Sequence, residues 1–254
     1  MTDRVTLRGA GILITRPARQ AAGLAREVAA LGGTPVIFPA VIILPPDDRS
    51  KLLEVQRELS NYDYAVFVSA NAVEYGVGDA ADWPSKLIAF APGPGTAAAL
   101  AAFGVTAVRT PQTSMDSEGL LALPEFEKVS GKRIVIFRGG DGRELLGETL
   151  AARGAHIDHI ECYRRAKPSR ADGLEQPLRE DRIDAVTLTS SEGLDNLWSI
   201  LSADGRRRLS AIPAFMPHAR IAERARSLGV SKIIVTQPAD AGLVAALLEY
   251  FAAQ

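Results

Sequence analysis

Short apolar runs alternate with longer amphipathic stretches along this chain of 254 residues. The runs are rich in valine, isoleucine, leucine and phenylalanine, whereas the stretches between them repeat apolar residues every three to four positions, as in "ARQAAGLAREVAALGG" (18–33). Apolar strands that alternate with helices are typical of parallel sheets covered on both faces. The pattern therefore predicts an α/β fold. Its predicted strands span residues 11–15, 35–39, 64–69, 87–91, 133–137, 156–163, 184–189, 212–216 and 232–235.

A longer repeat accompanies this alternation. Three segments recur later in the chain in the same order, at offsets of 122, 121 and 125 residues. Within the first pair, Arg16 falls on Arg138 and Val41 on Tyr163. The copies are too few and the period too long for a solenoid, so the repeat predicts two similar α/β domains. The paired segments are 12–41 with 134–163, 63–73 with 184–194, and 88–105 with 213–230.

Two polar, proline-containing segments, 43–50 and 164–173, each follow a predicted strand. If both are crossings between domains, the middle of the chain is one domain inserted into the other. A simple tandem arrangement stays open from the pattern alone. The insertion hypothesis gives a first domain of residues 1–40 with 168–254, a second of 44–163, and linkers at about 40–45 and 163–168.

Charge and length of the apolar runs argue against nucleic acid and membrane partners. The formal net charge is −1, and the basic run 206–208 is typical of a solvated helix end. No apolar run approaches the roughly 18–20 residues that cross a bilayer. The first residues also lack the pattern of a signal peptide, so a cytoplasmic location is expected.

The cysteine and histidine content argues against disulfide and metal chemistry. Cys162 is the only cysteine, which excludes an intrachain disulfide and a cysteine-based zinc site. The three histidines, His156, His159 and His218, do not form a helical i, i+4 pair. The sequence therefore predicts no bound metal.

Two strand-to-helix corners resemble each other, "VFVSANAV" (66–73) and "VTLTSSEG" (186–193). In an open parallel sheet, ligands bind beyond the carboxyl ends of the strands, where unpaired N–H groups and the helix dipole attract anions. Helix capping alone explains either corner, but two matching corners favour a polyanionic ligand. The candidate donors are Ser69, Asn71, Thr189, Ser190 and Ser191.

A third corner, "APGPGTAAAL" (91–100), matches the dinucleotide pattern G-x-G-x-x-A. However, Pro94 removes a donor between the glycines, and no acidic residue ends a strand about 20 residues further on. A helix corner that offers Thr96 as a donor is the favoured interpretation. A nucleotide-dependent oxidoreductase is the alternative that this segment leaves open.

The segment 137–143, "FRGGDGR", has the composition of an anion-binding loop. Gly139, Gly140 and Gly142 make it flexible, and Arg138 and Arg143 flank it with guanidinium groups. The structural alternative is that these arginines pair with the glutamates at positions 144 and 148. Further on, Tyr163 ends the next predicted strand. A packing role and a chemical role for this tyrosine are both left open by the pattern.

The strings "RGGDGRELLGETLAARGA", "ECYRR", "LTSSEGL", "TRP" and "PQTSMDSEGLLALPEFEKVSGKRIVIFRG" together resemble uroporphyrinogen-III synthases, over essentially the whole chain. The resemblance implies two similar parallel-sheet, flavodoxin-like domains joined by a two-stranded linker, with the first domain assembled from both chain ends. It also implies a monomeric, cofactor-independent enzyme of tetrapyrrole biosynthesis. The substrate would be hydroxymethylbilane, which carries eight carboxylates and closes to uroporphyrinogen III with loss of water and inversion of ring D.

The resemblance also implies roles for individual residues. Tyr163 matches the family's tyrosine and is the candidate to assist departure of the hydroxyl group. Val68 departs from the family's threonine, and the corner "MPHARI" (216–221) departs further, which leaves His218 or Arg220 as the candidate donor there. A two-domain binding protein for a small anion is the hypothesis from another class that the corners alone leave open. The candidate substrate-binding residues are Arg16, Ser69, Asn71, Thr96, Arg138, Gly139, Gly140, Thr189, Ser190, Ser191 and His218.

Overall fold

The computed structural model describes residues 6–78, 83–140 and 144–254. The α/β class predicted from the alternation is confirmed, because strands and helices alternate along most of the chain. The strands are β1 (Gly11–Ile14), β2 (Thr34–Ile37), β3 (Ile42–Leu44), β4 (Tyr64–Phe67), β5 (Ile88–Phe90), β6 (Val108–Arg109), β7 (Arg133–Gly139), β8 (His156–Ala166), β9 (Ala185–Thr187), β10 (Ala214–Met216) and β11 (Ile233–Val235). The helices are α1 (Ala18–Ala30), α2 (Ser50–Arg57), α3 (Ala70–Gly76), α4 (Pro94–Ala102), α5 (Ser117–Leu121), α6 (Leu145–Ala152), α7 (Asp172–Arg179), α8 (Ser191–Ile200), α9 (Ala203–Ala211), α10 (Ala219–Ser227) and α11 (Ala239–Ala252).

Every predicted strand is present, and the described residues contain two further short strands that were not predicted. β6 has two residues, too few to give a pattern, and β3 lies in the segment interpreted as a polar linker. β8 likewise continues to Ala166, into the second such segment. Both polar segments therefore begin as strand. Among the described residues, no helix has the length and apolar character needed to cross a membrane.

The chain divides into two compact units, and unit 1 comprises Met1–Ile42 with Ala166–Gln254. Its sheet has the order β11-β10-β9-β1-β2, and all its strand pairs are parallel. Side chains of successive strand residues point to opposite faces. Leu13 accordingly packs in one apolar cluster, whereas Ile12 and Ile14 pack in the other. This is the two-sided burial that continuous apolar strands predict.

Unit 2 comprises Ile43–Arg165, and its sheet has the order β3-β8-β7-β4-β5-β6. From β8 to β6 every neighbouring pair is parallel. When its strands are counted from β7, the five parallel strands take the order 2-1-3-4-5, which is also the order in unit 1 counted from β1. This is the flavodoxin-like order of doubly wound sheets. Unit 2 is thus a cyclic permutation of unit 1.

Hydrogen bonds recur at the repeat offsets in both units. The backbone N–H of Gly11 donates to Asp184 Oδ2 at 2.7 Å in unit 1, and that of Arg133 donates to Asp63 Oδ2 at 2.9 Å in unit 2. Gly32 and Gly154, also 122 positions apart, both end a helix with positive φ, at 76° and 89°. Only glycine adopts that conformation without strain, so the repeat preserves the helix stop as well as the strands.

Candidate functional site

The first corner lies at the carboxyl end of the unit 2 sheet, where β4 gives way to α3. Ser69 is the N-cap of α3, and its Oγ accepts a hydrogen bond from the Ala72 N–H at 3.2 Å. The expected capping role of this serine is therefore present. Asn71 is half-buried in the first turn of the same helix.

Tyr163 reaches this corner because β8 is irregular. Arg138 pairs with Glu161 but Gly139 pairs with Tyr163, so Cys162 is an extra residue in β8. Strict alternation would place Tyr163 on the same face as Glu161. The bulge instead turns it to the face of Cys162, where both pack in one apolar cluster. Its hydroxyl lies 3.3 Å from Ser69 Oγ, and the residue is 4% exposed.

A cavity of about 380 Å³ adjoins this pair of hydroxyl groups. Gly139 and Gly140 form part of its wall, and the approach of Gly139 to Tyr163 is close. A Cβ atom at Gly139 would lie 2.9 Å from two carbons of the tyrosine ring. The structure thus brings four of the predicted residues together. The cavity is lined by Val68, Ser69, Gly139, Gly140, Glu161, Tyr163, Arg164 and Arg165.

Arg138 lies on the other side of Gly139, beside α6. Its Nη1 donates to Glu144 Oε1 at 2.8 Å, and its Nε donates to the Gly139 carbonyl at 3.2 Å. The arginine is 8% exposed. The pairing with Glu144 that the sequence left open is therefore present. Gly142 and Arg143, the other members of the predicted loop, lie outside the described residues.

Two groups near this arginine have pKa values shifted from their ordinary values. The hydrogen bond and charge of Arg138 hold the pKa of Glu144 below its ordinary value, so this carboxylate is ionised at neutral pH. Burial, and secondarily the charge of Arg138, lower the pKa of His159, which favours a neutral imidazole. A second recess, of about 290 Å³, is lined by Arg138, Gly139, Gly140, Glu144, His159 and Glu161.

Thr96 lies at the third corner, in the first turn of α4 after the N-cap Gly93. Thr96 is 7% exposed, so its side chain is largely covered by protein. A Cβ atom at Gly93 would lie 3.3 Å from Met115 Sδ. The methionine therefore covers the glycine that a dinucleotide would have to approach, which supports the helix-corner interpretation over the nucleotide one.

The second predicted corner lies at the carboxyl end of the unit 1 sheet, after β9. Ser190 is the N-cap of α8, and its Oγ accepts a hydrogen bond from the Gly193 N–H at 2.9 Å. Thr189 is half-buried before it. The Oγ of Ser191 is buried and has no hydrogen-bond partner among the described residues. This corner reproduces the capping geometry of Ser69 at the offset of 121 residues.

The remaining candidates of unit 1 are an arginine and a histidine. Arg16 follows β1 and forms an ion pair with Asp240 in the first turn of α11. His218 is the N-cap residue of α10, but its side chain makes no capping hydrogen bond and is exposed. Val41, which matches Tyr163 in the repeat, is buried and has no polar group.

Several residues around the cavity were not proposed from the sequence. Glu161 contributes a carboxylate beside Gly140, and a Cβ atom there would lie 2.7 Å from its Oε1. Arg164 pairs with Asp47 at 3.0 Å. The charged residues that sequence reasoning overlooked all lie in the string "ECYRR" (161–165). Their position next to Tyr163 in the sequence was the signal that could have identified them. The bulge at Cys162 had no such signal.

The chain resembles known proteins over nearly its whole length. A family model described as uroporphyrinogen-III synthase HemD matches residues 22–245. The uroporphyrinogen-III synthase of Salmonella typhimurium is 36% identical over 236 residues, which cover 90% of this chain and 96% of that protein. The corresponding protein of Escherichia coli K12 is 34% identical over the same shares of the two chains.

A solved structure shares the fold. The structure of uroporphyrinogen-III synthetase from Helicobacter pylori aligns with 95% of this chain and 99% of its own, with a TM-score of 0.59 and 11% identity. The resemblance drawn from the sequence motifs is confirmed by these matches. The chain belongs to the uroporphyrinogen-III synthase family.

Proposed function

We propose that this chain catalyses the reaction of its family, in which hydroxymethylbilane closes to uroporphyrinogen III in tetrapyrrole biosynthesis. The observation that carries the proposal is the 36% identity across 96% of the Salmonella uroporphyrinogen-III synthase. An alignment of that extent includes most of both units of the chain and nearly the whole length of the Salmonella enzyme.

Tyr163 is the residue proposed to assist the first chemical step. The hydroxymethyl C–O bond breaks, and the hydroxyl group leaves as water when it receives a proton. The product of that step is a cationic azafulvene. Among the described residues that line the unit 2 cavity, Tyr163 and Ser69 carry the side-chain hydroxyl groups, and these two hydroxyls lie 3.3 Å apart. A hydroxyl in that position can donate a hydrogen bond or a proton to the departing oxygen.

The later steps demand control of conformation more than further acid–base chemistry. The substituted α-carbon of ring D attacks the azafulvene carbon, and the resulting spiro intermediate fragments and closes again with ring D inverted. Direct closure without inversion competes with this route. Binding of carboxylates remote from the reacting carbons can supply the energy that selects the productive conformer.

The polar groups at the carboxyl ends of both sheets are proposed to bind those carboxylates. Each corner combines helix N–H groups with small polar side chains, which suits an anion. Unit 2 contributes Ser69, Asn71, Thr96, Arg138, Gly139 and Gly140, and unit 1 contributes Arg16, Thr189, Ser190, Ser191 and His218.

The proposal includes a monomeric enzyme in the cytoplasm. Size-exclusion chromatography with light scattering tests the monomer, since a single chain has a mass of 27.1 kDa. Fractionation of cells that express the protein tests the location.

One assay tests the function itself. The purified protein is supplied with hydroxymethylbilane, the product is oxidised, and the porphyrin isomers are separated. The expected product is the type III isomer. Formation of only the type I isomer, at the rate seen without protein, would rule out the proposed activity.

A further inference from the structure

We propose that Glu161 is a further catalytic residue, whose carboxylate stabilises the cation that forms when hydroxymethylbilane loses its hydroxyl group. In this role a carboxylate oxygen accepts a hydrogen bond from the N–H of ring A, the pyrrole ring that bears the hydroxymethyl group. The inference deepens the proposed function and rests on it, because it assumes that the cavity of Tyr163 holds ring A. The sequence suggested no role for this glutamate.

The carboxylate of Glu161 and the hydroxyl of Tyr163 border the same cavity, of about 380 Å³. A Cβ atom at Gly139 would lie 3.2 Å from the tyrosine hydroxyl, and one at Gly140 would lie 2.7 Å from Glu161 Oε1. Consecutive Cα atoms are about 3.8 Å apart, and their Cβ atoms point to opposite faces of a strand. The two groups therefore flank the end of β7, and a ring placed over that end can contact both.

The charge of Glu161 is not used by the neighbouring arginine. Arg138 is the partner of Glu161 in the register of β7 and β8, but its Nη1 donates to Glu144 Oε1 at 2.8 Å. In the part of the chain that the structure describes, Glu161 has neither a hydrogen bond nor an ion pair. Its carboxylate is thus available to a ligand.

A carboxylate is unexpected in a cavity that is proposed to bind a polycarboxylate, because like charges repel. The substrate offers other groups, however, since each of its pyrrole rings carries an N–H donor. A carboxylate only accepts hydrogen bonds, so it suits these N–H groups. Glu161 is therefore suited to recognise a ring of the substrate and not one of its acidic side chains.

The first chemical step makes this contact stronger. The C–O bond breaks with its electron pair on oxygen, and a proton from Tyr163 completes the departing water. The lone pair of the ring A nitrogen forms a C=N bond, so that the N–H group becomes cationic. Glu161 then faces a cation where it faced a neutral donor, and a contact that strengthens along the step lowers the barrier.

The same step leaves Tyr163 as a tyrosinate, which adds a second anion to the cavity. Arg164 and Arg165 line this cavity too, and their guanidinium groups offset the added negative charge. The cavity thus combines a proton donor, an anion for the cationic ring and two cations.

The internal repeat supports a shared task for the glutamate and the tyrosine. At the offset of 122 residues, Glu161 and Tyr163 match Pro39 and Val41 of unit 1. Neither of those side chains carries a polar group. The carboxylate and the hydroxyl therefore occur together in one copy of the repeat, as expected if both serve one step.

Glu161→Gln tests the inference, because it removes the charge and keeps the shape and an acceptor oxygen. The side chain is exposed, so the variant should fold as the wild type does. We expect kcat for hydroxymethylbilane to fall about tenfold, the effect of weakening one charge-assisted hydrogen bond. KM should be unchanged or lower, because one anion fewer repels the substrate. Glu161→Asp keeps the charge and should retain more of kcat than Glu161→Gln. A wild-type kcat in Glu161→Gln would overturn the inference.

Glu148→Gln is the matched control. Glu148 is an exposed glutamate of the same unit, on α6, and it lines neither recess that Glu161 borders. The control loses the same charge and should keep both kcat and KM. An equal fall of kcat in the control would mean that the net charge of the unit is responsible, and it would contradict a local contact.

Binding of uroporphyrinogen III separates the cation from the ground state, because the rings of this product are neutral. Equilibrium dialysis without oxygen should give Glu161→Gln a Kd equal to or below that of the wild type. A Kd that rises about as much as kcat falls would show a ground-state contact or a distorted cavity, and would overturn the inference. Failure of the wild type to form the type III isomer would instead refute the proposed function.

Discussion

At the end of the first strand of the repeat, Arg138 in unit 2 lies beside a pair of glycines and pairs with Glu144, whereas Arg16 in unit 1 is followed by Pro17 and pairs with Asp240. Ser69 and Ser190 then cap equivalent helices in the two units. The units differ at the end of the second strand of the repeat, where Tyr163 matches Val41. The helix-capping corner is therefore duplicated, but the candidate proton donor occurs in one copy.

Both units contain the repeated segments, although the repeat crosses the boundaries between the units. Residues 12–41 belong to unit 1, but the next two repeated segments, 63–73 and 88–105, belong to unit 2. Their partners, 184–194 and 213–230, return to unit 1. Each unit thereby obtains one member of every pair. Unit 2 is inserted into unit 1 and its strands are cyclically permuted, and as a result five parallel strands in each unit have the order 2-1-3-4-5.

The largest effect is expected from Tyr163→Phe. After this substitution neither unit has a hydroxyl group at this position of the repeat. Loss of a general acid typically reduces the rate by a factor of about 100 or more. We expect kcat for hydroxymethylbilane to fall by about that factor. The free energy of unfolding should change by only about 1 kcal/mol, because one hydrogen bond to Ser69 is lost.

Tyr75→Phe is the control for this substitution. Its ring centroid lies 6.4 Å from that of Tyr163, and its hydroxyl donates to the Ile43 carbonyl at 3.0 Å. The control should lose similar stability and keep its kcat. Steady-state kinetics and thermal unfolding of both variants decide the matter, and a wild-type rate in Tyr163→Phe would remove the proposed role.

A smaller but still large effect is expected from Gly139→Val. The added Cβ would lie 2.9 Å from the Tyr163 ring, so the ring must move or the strand end must shift. We expect KM to rise about tenfold and kcat to fall, because a displacement near 1 Å in an active site costs one to two orders of magnitude. Gly173→Ala in unit 1 is the control, since nothing lies within 4 Å of a Cβ atom there.

Sequence patterns predicted the strands of this fold because a parallel strand buried on both faces is a continuous apolar run. They also predicted Ser69 and Ser190 as helix N-caps, because capping depends only on the serine and an N–H three residues later in the chain. They did not give the partner of Arg16, since Asp240 is 224 residues away and reaches it only through the fold. The direction of Tyr163 was equally hidden, because the bulge at Cys162 reverses the alternation on which such predictions rest.

The two caps provide the next comparison. Ser69→Ala and Ser190→Ala each remove one hydrogen bond to a helix N–H and should each cost about 1 kcal/mol of stability. Only Ser69 also contacts the Tyr163 hydroxyl, at 3.3 Å. We therefore expect a fall of a few fold in kcat for Ser69→Ala and an effect on KM alone for Ser190→Ala. Equal changes in kcat would mean that the tyrosine contact has no part in the chemistry.

The smallest effect is expected at Asp63 and Asp184, the two aspartates that match each other in the repeat. Burial raises the pKa of Asp63, but hydrogen bonds from the Arg133 N–H and from Lys132 outweigh it, so the pKa is lowered overall. The ionised carboxylate thus stabilises the folded state above the ordinary pKa of about 3.9, and this contribution is lost as the pH falls through the lower folded value. Because Asp63 is partly exposed, we expect Asp63→Asn to cost less than about 1 kcal/mol at pH 7.

Asp184→Asn sharpens this last comparison. Asp184 accepts the equivalent hydrogen bond from the Gly11 N–H, but the position that matches Lys132 is Ala10, which carries no charge. An asparagine can still accept from a backbone N–H, so the unit 1 variant should be nearly neutral. Urea unfolding at pH 7 and below pH 4 measures the free energy of unfolding of both variants. The deficit of Asp63→Asn should shrink in acid, because the wild type loses its ion pair there, and a deficit independent of pH would show that Lys132 contributes nothing.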